Sequence, residues 1–335
     1  MAITEAPGLL HLSEADVAAA DVSPAAMTAA VEAAFRDAAR GEAMTRPALS
    51  IPAHGPAHGP AHGPAVGSAS FRAKGGVLVA EGFGAVKWYG YFPSNAAQGL
   101  AEFRPLILLN EARTGFPVAL IGGDRITEMR TAAITAVGAK YLAAPGTDTA
   151  GFIGCGAQAR ANLLALLPLF PLRRVLLHGR RPETEAAFAA FARAQGLEAV
   201  LERDPGMVLG GAGIIVTTVP RLSPRTGFLD AAAVAPGAFV SMVDSGVSWN
   251  KAGLGGFALL VSDDVAQSTG HTEPGDASVG YQAGLAEIVG GAMPARAPGD
   301  RAALIFSGTG LADVAAAVAV YRAALRQGLG RRLAL

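Results

Sequence analysis

A single cysteine, Cys155, in 335 residues excludes an internal disulfide and any multi-cysteine metal site. Charge is also scarce: Asp, Glu, Lys and Arg together make 16% of the chain, against about 25% in an ordinary globular domain. What charge there is cancels, 27 basic side chains against 27 acidic, so nothing marks a surface for nucleic acid or an anionic membrane. Long apolar runs are missing too. The longest uncharged stretch, Pro47–Phe71, is rich in Pro, Gly and His. The next, Pro205–Pro220, is broken by glycines and falls short of the ~20 residues a spanning helix needs. The opening MAITEAPGLLHLSEAD carries acids early, without a basic segment ahead of a long apolar core, and so does not read as a secretory signal. The expectation is a soluble, cytoplasmic protein.

The chain is rich in apolar residues, 51% by count with a mean hydropathy of +0.36, which excludes disorder. At ~150 residues per domain its length predicts about two domains. Residues 14–40 read as two short Ala-rich helices parted at Ser23-Pro24. VLVAEGF, AVKWYGYF and LILLNEARTGFPVALIGG, between residues 77 and 123, read as strands of an antiparallel or mixed sheet, with a hairpin at Glu111–Gly115. A helix is predicted over Thr127–Ala143 with Thr127 as its N-cap. After it, strands at Thr149–Ile153, Arg174–His178, Gly213–Val219, Ala238–Val243 and Ala258–Ser262 alternate with helices at Ala157–Leu167 and Glu183–Gln195, the rhythm of a parallel sheet covered on both faces. Gly310–Gln327 reads as a long Ala/Val-rich helix that packs back on the first domain or on a partner subunit. Between residues 53 and 64 AHGP is repeated three times; His54, His58 and His62 stand four apart, but the Gly and Pro of every unit forbid the helix that would align them as metal ligands.

The sharpest motif follows the strand at Thr149–Ile153. Gly154-Cys155-Gly156-Ala157-Gln158-Ala159 is a GxGxxA turn running into a helix. Gly154 permits the tight turn, Gly156 lets the backbone approach a pyrophosphate, and Ala159 allows close helix–strand packing, with helix amides at Ala157 and Gln158 facing the phosphates. The strand before, the helix after and the βαβ train behind supply the context this motif needs for dinucleotide binding. At the end of the second strand, where an acid would hold the ribose of NAD, the chain reads His178-Gly179-Arg180-Arg181. Two arginines and no acid favour the 2′-phosphate of NADP(H), with NAD(H) as the alternative. Cys155 reads simply as a small residue.

Outside the loop, Lys87-Trp-Tyr-Gly-Tyr-Phe-Pro-Ser-Asn95, LLNEARTGFPVAL, Asp124–Ala133 with its Arg130-Thr131-Ala-Ala core, GFIGCGAQA, SMVDSG around Asp244 and FSGTGLADVAAA around Asp313 follow in order. Together, from about residue 20 to the carboxyl terminus, they resemble the ornithine cyclodeaminase/mu-crystallin family. The resemblance implies an α/β fold: a Rossmann-type doubly wound parallel sheet, residues 127–304, inserted in an α+β substrate-binding and dimerisation domain of residues 1–126 and 305–335. It implies a homodimer acting on a small amino or imino acid with a nicotinamide cofactor. By motif position Lys87 is catalytic and near the substrate, Arg130 holds the substrate carboxylate, Arg46 is a second carboxylate clamp, and Asp244, after the fifth Rossmann strand, is the catalytic aspartate. Arg130, Thr131 and Thr218 complete the cofactor-binding set with Gly154, Gly156, Ala157, Gln158, Arg180 and Arg181. An Arg early in a helix opposes the macrodipole, which also argues for an anion at Arg130. SGVSWNKAGL after Asp244 and the loop Ser268–Gln282 depart from the family pattern, which puts ornithine specificity in doubt. The expected reaction is NADPH-dependent reduction of an α-imino acid, or its reverse. The alternatives are an NAD-dependent, ammonia-releasing cyclodeaminase and a cofactor-binding protein with little turnover.

Overall fold

From the amino terminus the elements are β1 (Leu9–Leu12), α1 (Glu14–Ala19), α2 (Pro24–Ala39), β2 (Ala43–Thr45), β3 (Leu49–Pro52), β4 (Ser70–Leu78), β5 (Phe83–Tyr91), β6 (Phe103–Glu111), β7 (Pro117–Gly122) and α3 (Asp124–Leu142). Then come β8 (Thr149–Ile153), α4 (Ala157–Leu166), β9 (Arg174–His178), α5 (Pro182–Ala194), β10 (Glu198–Leu201), α6 (Pro205–Gly211), β11 (Ile214–Thr217) and β12 (Phe239–Met242). The last are β13 (Leu259–Ser262), α7 (Val265–Thr269), β14 (Ala283–Gly284), α8 (Leu285–Val289), β15 (Ala302–Ile305), α9 (Gly310–Gln327) and β16 (Arg331–Leu333). This computed structural model describes residues 8–53, 69–220, 227–269 and 280–334. The histidines of the AHGP repeat and the middle of the Ser268–Gln282 loop lie outside the described residues.

The chain divides into two units. One comprises Met1–Ser23, Arg40–Arg130 and Thr309–Leu335, the other Pro24–Ala39 and Thr131–Gly308. The second therefore includes α2, which the sequence reading placed with residues 1–126, and the cuts fall after Arg130 and Gly308 rather than after residues 126 and 304.

The first unit is built on an eight-stranded sheet ordered β16-β1-β7-β6-β5-β4-β2, with β3 also on β4. All its pairs are antiparallel except β1 with β7. Period-two alternation decides its two faces. Lys87 and Tyr89 of β5 point to the side on which α9 packs, whereas Trp88 between them is on the opposite side and exposed. Helix α9 comes very close to β4: a Cβ on Gly310 would overlap the Gly75 carbonyl, and one on Gly76 would stand 3.0 Å from the Met44 carbonyl oxygen. Glycine at 310 is thus a requirement of helix–strand contact.

The second unit holds a wholly parallel sheet ordered β10-β9-β8-β11-β12-β15-β13-β14. Every residue of β11, β12, β13 and β15 is buried, as expected of strands covered on both faces. The order reverses beside β8, the switch point at which a Rossmann sheet receives its ligand.

Helix α3 corrects one expectation. It begins at Asp124, and the carboxylate of Glu14 caps it by accepting from the Asp124 and Arg125 amides at 2.8 and 3.1 Å. Thr127 lies inside the helix and is not its N-cap. The cap comes from 110 residues upstream, where no local pattern could reveal it.

Candidate active site

In the second unit, β8 delivers the glycine turn. Gly154 has φ +96°, and a Cβ there would stand 2.7 Å from Thr218 Oγ1, so both backbone conformation and space demand glycine. Thr218, just past β11, donates its hydroxyl to the Gly154 carbonyl at 3.2 Å and braces the turn. Gly156 is the N-cap of α4 and offers no side chain to it, which leaves the first-turn amides free for an acceptor. Nothing lies within 4 Å of where a Gly156 Cβ would be, and Ala157 beside it is exposed. Gln158 is half-buried and its Oε1 has no hydrogen-bond partner. Ala159 is fully buried. These residues fit a dinucleotide pyrophosphate. Cys155 points away from reactivity: burial, helped by the Glu185 charge, pushes its thiol up to about 12.

At the end of β9 the structure adds an acid that the local sequence does not show. Glu185, six residues on in α5, turns its buried carboxylate back so that Oε1 accepts from the Gly179 amide at 2.9 Å. A Cβ on Gly179 would stand 2.9 Å from Glu185 Cγ, so the glycine makes room for that return. Arg180 and Arg181 are exposed, and neither is ion-paired among the described residues.

Asp244 lies two residues past β12, followed by a left-handed pair, Ser245 at φ +61° and Gly246 at φ +73°. Its Oδ1 accepts from Thr217 Oγ1 at 2.9 Å and from the Gly246 amide at 3.1 Å, and its Oδ2 accepts from Ser248 Oγ at 2.6 Å. Thr217 Oγ1 in turn accepts from Trp249 Nε1 at 3.3 Å. Burial raises the Asp244 carboxyl above its ordinary range against the pull of these hydrogen bonds.

The first unit holds the other constellation. Lys87 on β5 is 2% exposed, and its Nζ donates to Asp313 Oδ1 at 2.8 Å. Arg130 Nε stands 2.9 Å from the same oxygen. Asp313 Oδ2 is buried, with no hydrogen-bond partner among the described residues. Burial, reinforced by the Arg130 charge and opposed by Asp313, brings the Lys87 ammonium down to about 7. Burial works against ionisation of Asp313 as well, but the Arg130 and Lys87 charges outweigh it and hold the carboxyl below its usual range.

Sequence pattern alone does not single out Asp313 as a site residue. The available signal was a lone acid in the first turns of an otherwise uncharged helical run, GLADVAAAVAV. Arg130 is also corrected. It is the seventh residue of α3, not an early one, and it has an anionic partner inside the chain. Thr131 beside it is buried. Lys87 and Arg130 are brought together on Asp313; Arg46 stands in a different setting. It is exposed and lines a cavity of about 550 Å³ with Thr45, Gly75, Val86 and Asn110, a lining that includes none of Lys87, Arg130 or Asp313. Among the described residues no group of three or more His, Cys, Asp or Glu could hold a metal ion, and no helix is long and apolar enough to cross a membrane.

Comparison with known proteins agrees with this layout. The model of the ornithine cyclodeaminase/mu-crystallin family matches residues 11–328. The chain is 29% identical to the alanine dehydrogenase of Archaeoglobus fulgidus over 75% of its own length and 80% of that protein's. It is 31% identical to the iminosuccinate reductase of Paracoccus denitrificans, over 79% and 84% of the two chains. Among solved structures, an archaeal alanine dehydrogenase dimer with bound NAD superposes with a TM-score of 0.82 at 26% identity, covering 97% of this chain and 98% of that one.

Proposed function

The chain belongs to the ornithine cyclodeaminase/mu-crystallin family, and we propose that this protein reduces an α-imino acid to the amino acid with NADPH, or runs the reverse oxidation. The observation that carries the reading is the buried Lys87–Asp313–Arg130 cluster, with a lysine whose pKa of about 7 suits proton transfer near neutrality. Arg130 receives the substrate carboxylate through the guanidinium nitrogens that do not face Asp313. Protonated Lys87 donates to the imine nitrogen, and in reverse the neutral amine takes a proton from the amino group. Asp313 positions the ammonium and stabilises it. A nicotinamide cofactor held at the Gly154–Gln158 turn would supply the hydride to Cα, or accept it in the reverse direction. Asp244 is proposed to shape the loop after β12, because Thr217, Gly246 and Ser248 already occupy both its oxygens; proton handling falls to Lys87, held by Asp313, instead.

Thr131, Gly154, Gly156, Ala157, Gln158 and Thr218 are proposed to cradle the cofactor, and Arg180 and Arg181 to take the 2′-phosphate. Support for NADPH is the pair of exposed arginines, not ion-paired among the described residues, beside a strand end whose neighbouring acid, Glu185, is already engaged by the Gly179 amide. The alanine dehydrogenase relative carries NAD, so the arginines make a distinguishing claim.

The working form is proposed to be a homodimer. Leu49, Ile51, Phe71, Trp88 and Leu106 share one face of the first unit's sheet by strand register, and all are exposed. A largely apolar face of this kind, with the exposed Arg104 as its charge beside Leu106, suits a second copy of the same chain. Sedimentation should show a dimer that Trp88→Glu converts to monomer; a wild-type monomer would overturn the assignment.

Oxidation of NADPH, followed by absorbance across 2-oxo acids mixed with ammonium or methylamine and across cyclic imines, tests the reaction. Stoichiometric NADPH consumption with amino acid formation is expected. Ammonia release from ornithine with only catalytic amounts of NAD would assign a cyclodeaminase instead. Cofactor binding without turnover on any substrate would leave a binding protein.

A further inference from the structure

We propose that Arg72 is a second anion clamp on the Lys87 face and that the substrate is a dicarboxylic α-imino acid, its α-carboxylate on Arg130 and its distal carboxylate on Arg72. The inference rests on the imino acid reading above and narrows its substrate class.

Strand register places the clamp. Lys74 of β4 stands directly across from Lys87 of β5, and Arg72 directly across from Tyr89. Directly opposed residues share a face, so Arg72 and Lys74 lie on the side that carries Lys87 and receives α9. Arg72 is two residues along the strand from Lys74, a step of ~7 Å. Tyr89 spans the interval: Lys87 Nζ lies 5.9 Å from the centre of its ring and Arg72 meets its hydroxyl, a separation that a diacid of four or five carbons can bridge.

The surroundings of Arg72 are those of a prepared guanidinium. It is half-buried; its guanidinium lies 5.7 Å from the centre of the Tyr91 ring, and its Nε donates to Ser70 Oγ at 3.2 Å. An aromatic face and a hydroxyl fix its direction, yet no carboxylate pairs with it among the described residues. The one acid of this cluster, Asp313, is committed: the same oxygen meets both Lys87 and Arg130. Lys74 adds its field at Lys87 and at Asp313, and the charges of Arg72 and Arg130 both reach the Tyr89 hydroxyl. Among the described residues, Lys87, Arg130 and Arg72 thus gather around the single carboxylate of Asp313. A substrate with one carboxylate answers Arg130 alone, whereas a second carboxylate answers Arg72.

Wild-type enzyme assayed with NADPH and ammonium should give a kcat/KM at least about tenfold higher with oxaloacetate than with pyruvate. Arg72→Gln should lower that ratio tenfold or more, and Arg72→Lys should restore part of it. Equal or better use of pyruvate by the wild type would overturn the proposal. So would an Arg72→Gln variant that loses both activities in equal proportion, because Arg72 would then serve the α-carboxylate. Binding is read separately by thermal denaturation with NADP⁺ present. Succinate should raise the wild-type Tm more than acetate does, and Arg72→Gln should abolish the difference. If succinate protects through Arg72 while neither substrate turns over, the reduction reading fails and the diacid site stands. Turnover with no preference for the diacid leaves the reduction and removes the clamp.

Discussion

Asp313 and Asp244 are both buried, and the protein treats them in opposite ways. Around Asp313 the neighbours are full charges, Lys87 and Arg130, both drawn to one oxygen while the other has no hydrogen-bond partner among the described residues. Around Asp244 they are neutral dipoles, two hydroxyls and the backbone amides of Gly246 and Val219. The protonation tendencies diverge accordingly: Asp313 is held below the usual carboxyl range and Asp244 is raised above it. Neutral donors fix where a carboxylate sits without offsetting its desolvation. Cations decide its charge, and they leave it coupled to whatever else alters theirs. The first arrangement suits a loop anchor, the second a group that shares in proton traffic.

The largest effect should come from the charged side of this comparison. Lys87→Met should cut the rate of imine reduction about 10²–10⁴-fold, as loss of a general acid does, in steady-state assays at neutral pH. The pH dependence follows from the depressed lysine. Reduction needs the ammonium and should fall as pH rises through about 7, while oxidation should rise over the same interval. In Asp313→Asn the inflection should move below 7, since the anion that favours the ammonium is gone. Stability carries the same signature. Folded Lys87 binds its proton more weakly than an unfolded lysine, so stability should increase with pH from about 7 towards the ordinary lysine range. Denaturant unfolding should show that slope in the wild type and a shallower one in Lys87→Met.

Next in size, Asp313→Ala leaves two buried cations without their anion and should cost about 3–5 kcal/mol of stability, measurable by the same unfolding titrations. Thr217→Val removes one donor to Asp244 and the acceptor of Trp249; a loss of about 1–3 kcal/mol is expected, with no shift of the pH–rate profile. A shifted profile would undo the distinction between the two aspartates. Smallest, replacing Arg180 and Arg181 with Ala should lower kcat/KM for NADPH about tenfold, the effect of losing one good charge-assisted contact, and leave NADH nearly unaffected.

How far these features could be read in advance depends on how local their causes are. Strands β8 and β9 and helix α9 follow from apolar-rich runs that each end at a glycine, and their predicted limits coincide with the observed ones. The glycine turn at 154–156 is equally local, because the φ of Gly154 and the bare N-cap at Gly156 are properties of the loop itself. β2, β3, β10 and β15 are three or four residues long and owe their existence to a neighbouring strand, so nothing in their own text marks them. The Glu14 cap on α3, the Glu185 contact to Gly179 and the Lys87–Asp313 pair join residues 110, 6 and 226 positions apart, and each is a fact of tertiary structure.

The close contact at Gly310 makes one dimension of the charged cluster a matter of tolerance. Asp313 lies three residues, a little under one helical turn, beyond the point where α9 touches β4. Its distance from Lys87 is therefore gauged by a missing methyl group. Any side chain at position 310 wedges helix from strand and opens the ion pair without altering a single charge. A residue with no chemistry of its own thus sets the working clearance of the residues that have it.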